Sequence, residues 1–155
     1  MRIVITILML FMVLSLCSCG SKKEKPAAPT YDFSQSHIGA VDISGLKLAH
    51  GELLSINQND GTVTIKAKIT SNLTNEMTIN QNYYNVSALI RNSGFNTCSE
   101  IKYWAVADMT SGDESKVIEF TVNKDTIDKI YSGAILDNQI SKYVSDLWVL
   151  PSLQN

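Results

Sequence analysis

Three carboxylates lie close together in the sequence, and they are the first residues that could carry out chemistry. Asp108, Asp113 and Glu114 surround a short polar stretch. Clustered carboxylate oxygens suit calcium, which takes about six to eight oxygen ligands. Their spacing departs from the D-x-[DN]-x-[DN]-G pattern of a calcium loop, so we expect neither a metal nor a cofactor. Asp108 and Asp113 support one alternative hypothesis, in which scattered carboxylates form an enzymatic site.

Nucleophilic catalysis would need a serine or cysteine beside a base that a third group orients. The chain has two histidines, His37 and His50, and both lie in its weakly patterned first part. It has no Gly-x-Ser-x-Gly motif. Cys98 has no histidine or basic cluster beside it in the sequence, which is typical of a small, partly buried side chain rather than a reactive thiol. We therefore predict that the protein is not an enzyme.

Aromatic residues are the remaining candidates for a functional surface. Aromatic side chains in apolar strands usually lie in the core, and Trp104 is predicted to be buried in this way. The sequence places Tyr84 and Trp148 less clearly. Aromatic side chains that are exposed together mark a contact surface for a protein or a glycan. Tyr84 and Trp148 are therefore the predicted binding residues.

The chain begins with a segment typical of protein export. Arg2 precedes an apolar run over residues 3–16, which is shorter than the roughly 20 apolar residues of a membrane-spanning helix. The run leads into Leu16-Cys17-Ser18-Cys19. This sequence resembles the lipobox of bacterial lipoproteins, with Cys19 as the modified residue. Cys17 fits less well, because the bulky Leu16 would stand where a small residue is needed.

The resemblance implies a signal peptide over residues 1–18, cleavage before Cys19, and acylation of Cys19 by palmitate-type chains. Each buried methylene contributes about 0.8 kcal/mol, so two or more chains hold a protein durably. The predicted location is the extracytoplasmic face of the cell membrane, with the membrane as one partner. An ordinary signal peptide or a signal anchor is the alternative, and Lys22, Lys23 and Lys25 favour the anchor because positive charge usually stays on the cytoplasmic side.

Two further segments follow the predicted signal peptide. Residues 19–30 are polar and contain two prolines, which is typical of a flexible tether. Residues 31–155 have the length of one globular domain. In that region nine Lys and Arg face fourteen Asp and Glu, which gives a net charge near −5 and argues against nucleic-acid binding. Cys98 is the region's only cysteine, so no disulfide is expected within it.

Alternation and turn residues predict two β-hairpins. Residues 52–57 and 62–69 flank Asn59-Asp60-Gly61, a strong turn signal, and the second arm alternates between an apolar and a polar face. The other hairpin covers residues 100–122 and reverses at Ser111-Gly112-Asp113. Its first arm is apolar on both faces, so we expect that arm to lie inside the sheet.

Helical spacing occurs between and after the hairpins. Residues 80–94 predict one helix, whereas residues 71–78 predict a loop or a weak strand. Asn123 or Asp125 can cap a second helix, and Asp137 can start a third. This order predicts an α+β fold, in which an antiparallel sheet built from two hairpins carries two or three helices on one face.

An immunoglobulin-like β-sandwich is the alternative fold. The first hairpin and the Thr70-Ser-Asn-Leu-Thr74 stretch after it resemble the opening of β-sandwich domains in other bacterial lipoproteins. The helical spacing around Tyr83 favours the α+β fold instead.

The functional prediction combines an anchor, a tether and a domain without a catalytic arrangement. The leading hypothesis is a membrane-anchored lipoprotein whose extracytoplasmic domain binds another protein or an envelope component without catalysis. The alternative is an envelope enzyme or enzyme accessory that uses the scattered carboxylates. A flat, exposed aromatic patch would favour binding, whereas a cleft that joins the carboxylates would favour the enzyme.

Overall fold

The structure is a computed structural model, and it describes residues 37–39 and 41–154. The predicted signal peptide (1–18), the predicted lipidation site Cys19 and the predicted tether (19–30) all lie outside the described residues. The structure therefore bears on the fold of the region that follows them.

Strands and helices alternate in groups along the described region. In chain order the elements are β1 (His37–Ile38), β2 (Val41–Asp42), β3 (Glu52–Asn59), β4 (Thr62–Lys68), α1 (Asn75–Asn92), a 3₁₀ turn (Phe95–Thr97), β5 (Glu100–Asp108), β6 (Glu114–Asn123), α2 (Lys124–Tyr131), a 3₁₀ turn (Asp137–Lys142), β7 (Ser145–Val149) and a 3₁₀ turn (Pro151–Leu153). β1 and β2 form a small antiparallel pair, and the other five strands form one sheet. The predicted α+β fold class is confirmed.

The five-stranded sheet has the order β3-β4-β5-β6-β7. β3–β4 and β5–β6 are the two predicted hairpins, and both are confirmed. One pairing differs from the predicted antiparallel arrangement, because β4 and β5 run parallel. Helix α1 connects the end of β4 to the start of β5. The connection is long enough to carry the chain back along the sheet, so β5 begins beside the start of β4 and runs parallel to it. β5 is thus the central strand, as its two apolar faces predict.

The first hairpin closes through a tight turn at Asp60 and Gly61. Both residues have positive φ, 48° and 83° respectively, a conformation that Asp tolerates and Gly adopts freely. This turn sets the register of β4 and hence the side chains that face inward. Val63, Ile65 and Ala67 are buried, so the predicted apolar face is confirmed.

Helix α1 starts earlier than the sequence indicates. Thr74 is its N-cap, and the Thr74 side-chain oxygen accepts a hydrogen bond from Met77 N at 3.1 Å. The prediction of a loop or weak strand over residues 71–78 holds for residues 71–74, which are irregular, and is wrong for residues 75–78, because the helix begins at Asn75. The first turn of the helix is polar, and the apolar stripe that reveals a helix begins only further along the chain.

The helices cover one face of the sheet. Tyr83 of α1 contacts Phe120 of β6 with ring centroids 4.9 Å apart, and Tyr103 of β5 stacks on the same ring at 5.1 Å. Ile127 and Ile130 of α2 join this buried cluster. Helices therefore occupy the side where an immunoglobulin-like sandwich would place its second sheet, and that alternative fold is wrong.

The segment after the second hairpin begins as predicted and then departs from it. Asn123 caps α2, and its side chain accepts a hydrogen bond from Thr126 N at 2.9 Å. Asp137 starts a 3₁₀ turn where the third helix was expected. The chain then returns to the sheet as the edge strand β7, which pairs with β6.

A buried polar network joins α1 to the central strand. The Tyr103 hydroxyl donates to Asn82 Oδ1 and accepts a hydrogen bond from Asn85 Nδ2, each at 3.1 Å. Asn85 also pairs with the backbone of His50, at 2.8 Å through its Nδ2 and at 2.9 Å through its Oδ1. Burial raises the pKa of Tyr103 well above its usual range, and the hydrogen bond from Asn85 opposes that shift only in part. The network fixes the helix, the loop before β3 and the central strand relative to one another.

Candidate functional site

The uncovered face of the sheet carries four side chains that lie next to one another across four strands. The strand register pairs Lys66 with Trp104, Trp104 with Glu119, and Glu119 with Trp148. We call these four residues the tryptophan row. Because side chains alternate along a strand, Trp104 points away from its neighbour Tyr103, which lies in the core. The tryptophan row therefore lies on the face opposite α1.

Both tryptophans are substantially exposed. Trp104 retains 38% and Trp148 retains 40% of its accessible surface. The prediction that Trp104 is buried is wrong, although its strand is central as predicted. The helices cover only the other face, so a side chain on this face is shielded by its neighbours in the sheet alone.

Glu119 connects the two indoles through a lysine. Trp104 Nε1 donates to Glu119 Oε1 at 3.0 Å, and Lys116 Nζ forms an ion pair with Glu119 Oε2. The Lys116 Nζ lies 5.9 Å from the ring centroid of Trp104 and 5.4 Å from that of Trp148, within the range of a cation–π interaction. One ammonium group thus lies against both indoles, and one carboxylate pairs with it.

A β-bulge in β6 places Lys116 and Glu119 on the same face. Residues three apart in a regular strand would point to opposite faces. The register of β5 with β6 shifts by one residue between Ala105 and Val106, which makes Val117 an extra residue. Val117 turns into the core and is 2% exposed, whereas simple alternation would place it beside Glu119. The bulge is the local feature that assembles the contacts around the indoles.

The rest of this face carries paired charges. Lys66 Nζ lies 2.5 Å from Glu114 Oε1, and Lys68 Nζ lies 2.7 Å from Asp108 Oδ2. The hydrogen bond with Asp108 raises the pKa of Lys68 above its usual value. Two of the three clustered carboxylates, Asp108 and Glu114, are therefore paired with lysines on an open sheet. Asp113, which the enzymatic alternative combines with Asp108, lies in the loop between β5 and β6. Within the described residues, no group of three His, Cys, Asp or Glu side chains could hold a metal ion.

Tyr84, the other predicted binding residue, lies on the helical side of the sheet. It is 45% exposed on α1, and its ring meets that of His50 edge to face with centroids 5.5 Å apart. Both residues line a groove of about 360 Å³ together with Gln81. Gln81 Oε1 is buried without a hydrogen-bond partner. The structure does not bring Tyr84 and Trp148 together, because the sheet separates them.

Cys98 lies in a protected position after the first 3₁₀ turn. Its side chain is 5% exposed, and it is a free thiol. Burial raises the pKa of the Cys98 thiol, and the positive charge of Lys124 opposes the shift. The low exposure confirms the prediction that this small side chain is at least partly buried. The raised pKa leaves less of the thiol in the thiolate form, which is the reactive one.

Sequence reasoning found Trp148 but missed Trp104, Lys116 and Glu119 as members of a surface. One signal could have corrected Trp104. Lys102 precedes it by two residues, so the two side chains share a face, and a lysine marks that face as wet. The bulge that turns Lys116 toward Glu119 has no comparable signal in the sequence.

No protein-family model, curated protein or solved structure matches the chain. In the part of the chain that the structure describes, no helix combines the length and the apolarity needed to cross a membrane.

Proposed function

We propose that the protein is a lipid-anchored, extracytoplasmic binding domain and that the tryptophan row is its contact surface. The anchor is the predicted acyl modification of Cys19, and residues 19–30 are the predicted tether. Attachment to a membrane raises the local concentration of the domain near membrane-bound partners. Binding without catalysis is the activity that this surface supports best.

The observation that carries the proposal is the exposure of Trp104 and Trp148 in one cross-strand row. Single exposed apolar side chains are ordinary on protein surfaces, but adjacent ones are typical of interaction sites. Tryptophan is enriched at the centres of protein interfaces, where its large ring is desolvated on binding. Glu119 lies between the two indoles, with Lys116 against it, and supplies the polar contacts that orient a partner.

The test compares surface variants of the full chain in the cell that makes it. Chemical cross-linking of intact cells, followed by purification of the protein, should yield a defined cross-linked species from the wild type. The double variant Trp104→Ala and Trp148→Ala should lose that species. The matched control is Tyr131→Ala, which removes an aromatic side chain that is 55% exposed on α2. Tyr84→Ala tests the groove on the helical side in the same way.

Thermal unfolding of each purified variant separates lost contact from lost fold. A folded tryptophan double variant that keeps the cross-linked species at wild-type yield contradicts the proposal. Loss of the species in Tyr84→Ala alone would move the contact surface to the groove. The enzymatic alternative expects another pattern, in which Asp108→Asn and Asp113→Asn abolish function while the cross-linked species persists.

A further inference from the structure

The tryptophan row already holds a cation from its own chain. Lys116 Nζ lies 5.4 Å from the Trp148 ring centroid and 5.9 Å from that of Trp104. It also pairs with Glu119 Oε2. The faces of aromatic rings carry negative potential, so they attract an ammonium group that approaches from above. Two ring faces and one carboxylate therefore converge on a single position, which Lys116 occupies.

Glu119 is oriented for this role. Trp104 Nε1 donates to its Oε1 at 3.0 Å, so the indole that contributes a ring face also holds the carboxylate in place. The other oxygen, Oε2, receives the ammonium group. Each carboxylate oxygen thus has a separate donor, and the group that binds the cation depends on the orientation of Trp104.

Lys116 is an occupant that another cation can replace. Its side chain keeps 43% of its surface exposed, and that of Glu119 keeps 29%. Ion pairs and cation–π contacts at exposed positions are individually weak. A cavity of about 260 Å³ adjoins the site and is lined by Lys66, Trp104, Val106, Glu114 and Lys116. An incoming side chain therefore has room beside the indole while Lys116 swings into solvent.

We propose that Trp104, Trp148 and Glu119 form a cradle for a lysine ammonium group of a protein partner, and that Lys116 fills this cradle in the free domain. The inference rests on the proposed function, since it names the ligand class of the same surface. The net charge near −5 over residues 31–155 attracts a basic partner over a longer range. Lys116 acts as an internal competitor that sets a threshold for binding.

The experiment titrates the full chain in a nonionic detergent with the blocked peptide tetralysine and follows tryptophan fluorescence. The matched probe is the same peptide with every ammonium group acetylated, which removes the charge and keeps the chain. Tetralysine should change the fluorescence, and the acetylated peptide should not. Trp104→Ala, Trp148→Ala and Glu119→Gln should each weaken tetralysine binding, read by calorimetry where the fluorophore is lost.

Lys116→Gln distinguishes binding in the cradle from a general electrostatic attraction. It removes the internal competitor, so the affinity for tetralysine should rise about fivefold, the factor expected when the weak, exposed cation–π contacts of Lys116 with the two indoles are lost. Lys102→Gln is the matched control. Lys102 lies two residues before Trp104 and on the same face of β5, and its ammonium group pairs with Glu100 at 3.6 Å. The substitution changes the net charge equally, and its effect on the affinity should stay below about twofold at physiological salt.

Each of the following results overturns the inference. Equal gains in affinity from Lys116→Gln and Lys102→Gln would show attraction by net charge alone. Equal binding of the acetylated peptide would show that the ammonium group is not recognised. Tryptophan-dependent binding to phosphatidylcholine vesicles without any response to tetralysine would assign the cradle to a lipid head group. If tetralysine does not bind while the tryptophan double variant still loses the cross-linked species in cells, the proposed ligand class is wrong and the proposed function stands. If tetralysine does not bind and the double variant keeps the cross-linked species, the ligand class and the proposed function are both wrong.

Discussion

Tyr103→Phe removes one oxygen atom from the centre of the network between α1 and the central strand. The phenylalanine ring keeps the position that stacks on Phe120 at 5.1 Å. Asn82 Oδ1 loses its donor and Asn85 Nδ2 loses one acceptor, each at 3.1 Å. Asn82 and Asn85 are 3% and 2% exposed, so bulk water cannot replace the hydroxyl. An unpaired buried polar group costs about 1–3 kcal/mol. Asn82 Oδ1 is left without its donor, whereas Asn85 Nδ2 keeps its hydrogen bond to the His50 carbonyl, so we expect a loss of about 2–4 kcal/mol in the free energy of unfolding.

Urea denaturation followed by circular dichroism measures this loss as a shift of the midpoint at an unchanged slope. Tyr131→Phe is the control, because it makes the same chemical change at a side chain that is 55% exposed; its effect should stay within about 0.5 kcal/mol. A double-mutant cycle of Tyr103→Phe with Asn82→Ala should give a coupling energy of about 1 kcal/mol or more. A loss below about 1 kcal/mol for Tyr103→Phe would refute the reasoning, since the hydroxyl would then not satisfy the two amides.

Three further predictions concern pH, a glycine and the anchor. Burial raises the pKa of Tyr103 in the folded protein. The stabilising effect of the buried, neutral hydroxyl is therefore complete below the unfolded pKa of about 10, and it is lost as the pH rises further, by up to about 1.4 kcal/mol per pH unit. Tyr103→Phe should accordingly flatten the fall in urea midpoints between about pH 10 and 11. Gly51→Ala should lower the unfolding temperature more than Gly133→Ala. Both glycines have φ near 80°, but a Cβ added at Gly51 would lie 2.2 Å from a backbone oxygen of β4, whereas a Cβ added at Gly133 would have no such neighbour within 4 Å. Cys19→Ala should abolish labelling by fatty acid and Cys17→Ala should not, and labelling that survives the loss of Cys19 would contradict the lipobox assignment.

Local signals account for the parts of the fold that the sequence predicts. The alternation of Val63, Ile65 and Ala67 with polar residues requires one buried face, and the turn at Asp60-Gly61 requires positive φ. Both features belong to one short segment, so they can be recognised without knowledge of any distant contact. The N-cap Asn123 was predictable for the same reason, because its hydrogen-bond partner lies three residues away.

The misjudged parts depend on contacts between distant segments. The direction of β5 relative to β4 depends on the length of the helical connection between them. The sequence pattern underestimates that length, because α1 begins with a polar segment at Asn75. Exposure of Trp104 depends on which face the helices cover, and within β5 Lys102 is the signal that indicates the open face. The β6 bulge at Val117 arises from pairing with β5, and it alone explains why Lys116 meets Glu119.

Tyr103 and Trp104 show how one strand supports both stability and contact. The first side chain is fully buried and hydrogen-bonded to α1, and the second lies on the open face against Glu119. Because neighbouring residues on a strand point to opposite faces, the core can hold β5 rigidly while leaving Trp104 free of any packing role toward the helices. The surface can therefore change its chemistry, for example at Lys116, without disturbing the network that fixes the strand. The proposed binding surface needs that separation, since the exchange of one ammonium group for another that we propose requires the two indoles to stay in register across three strands.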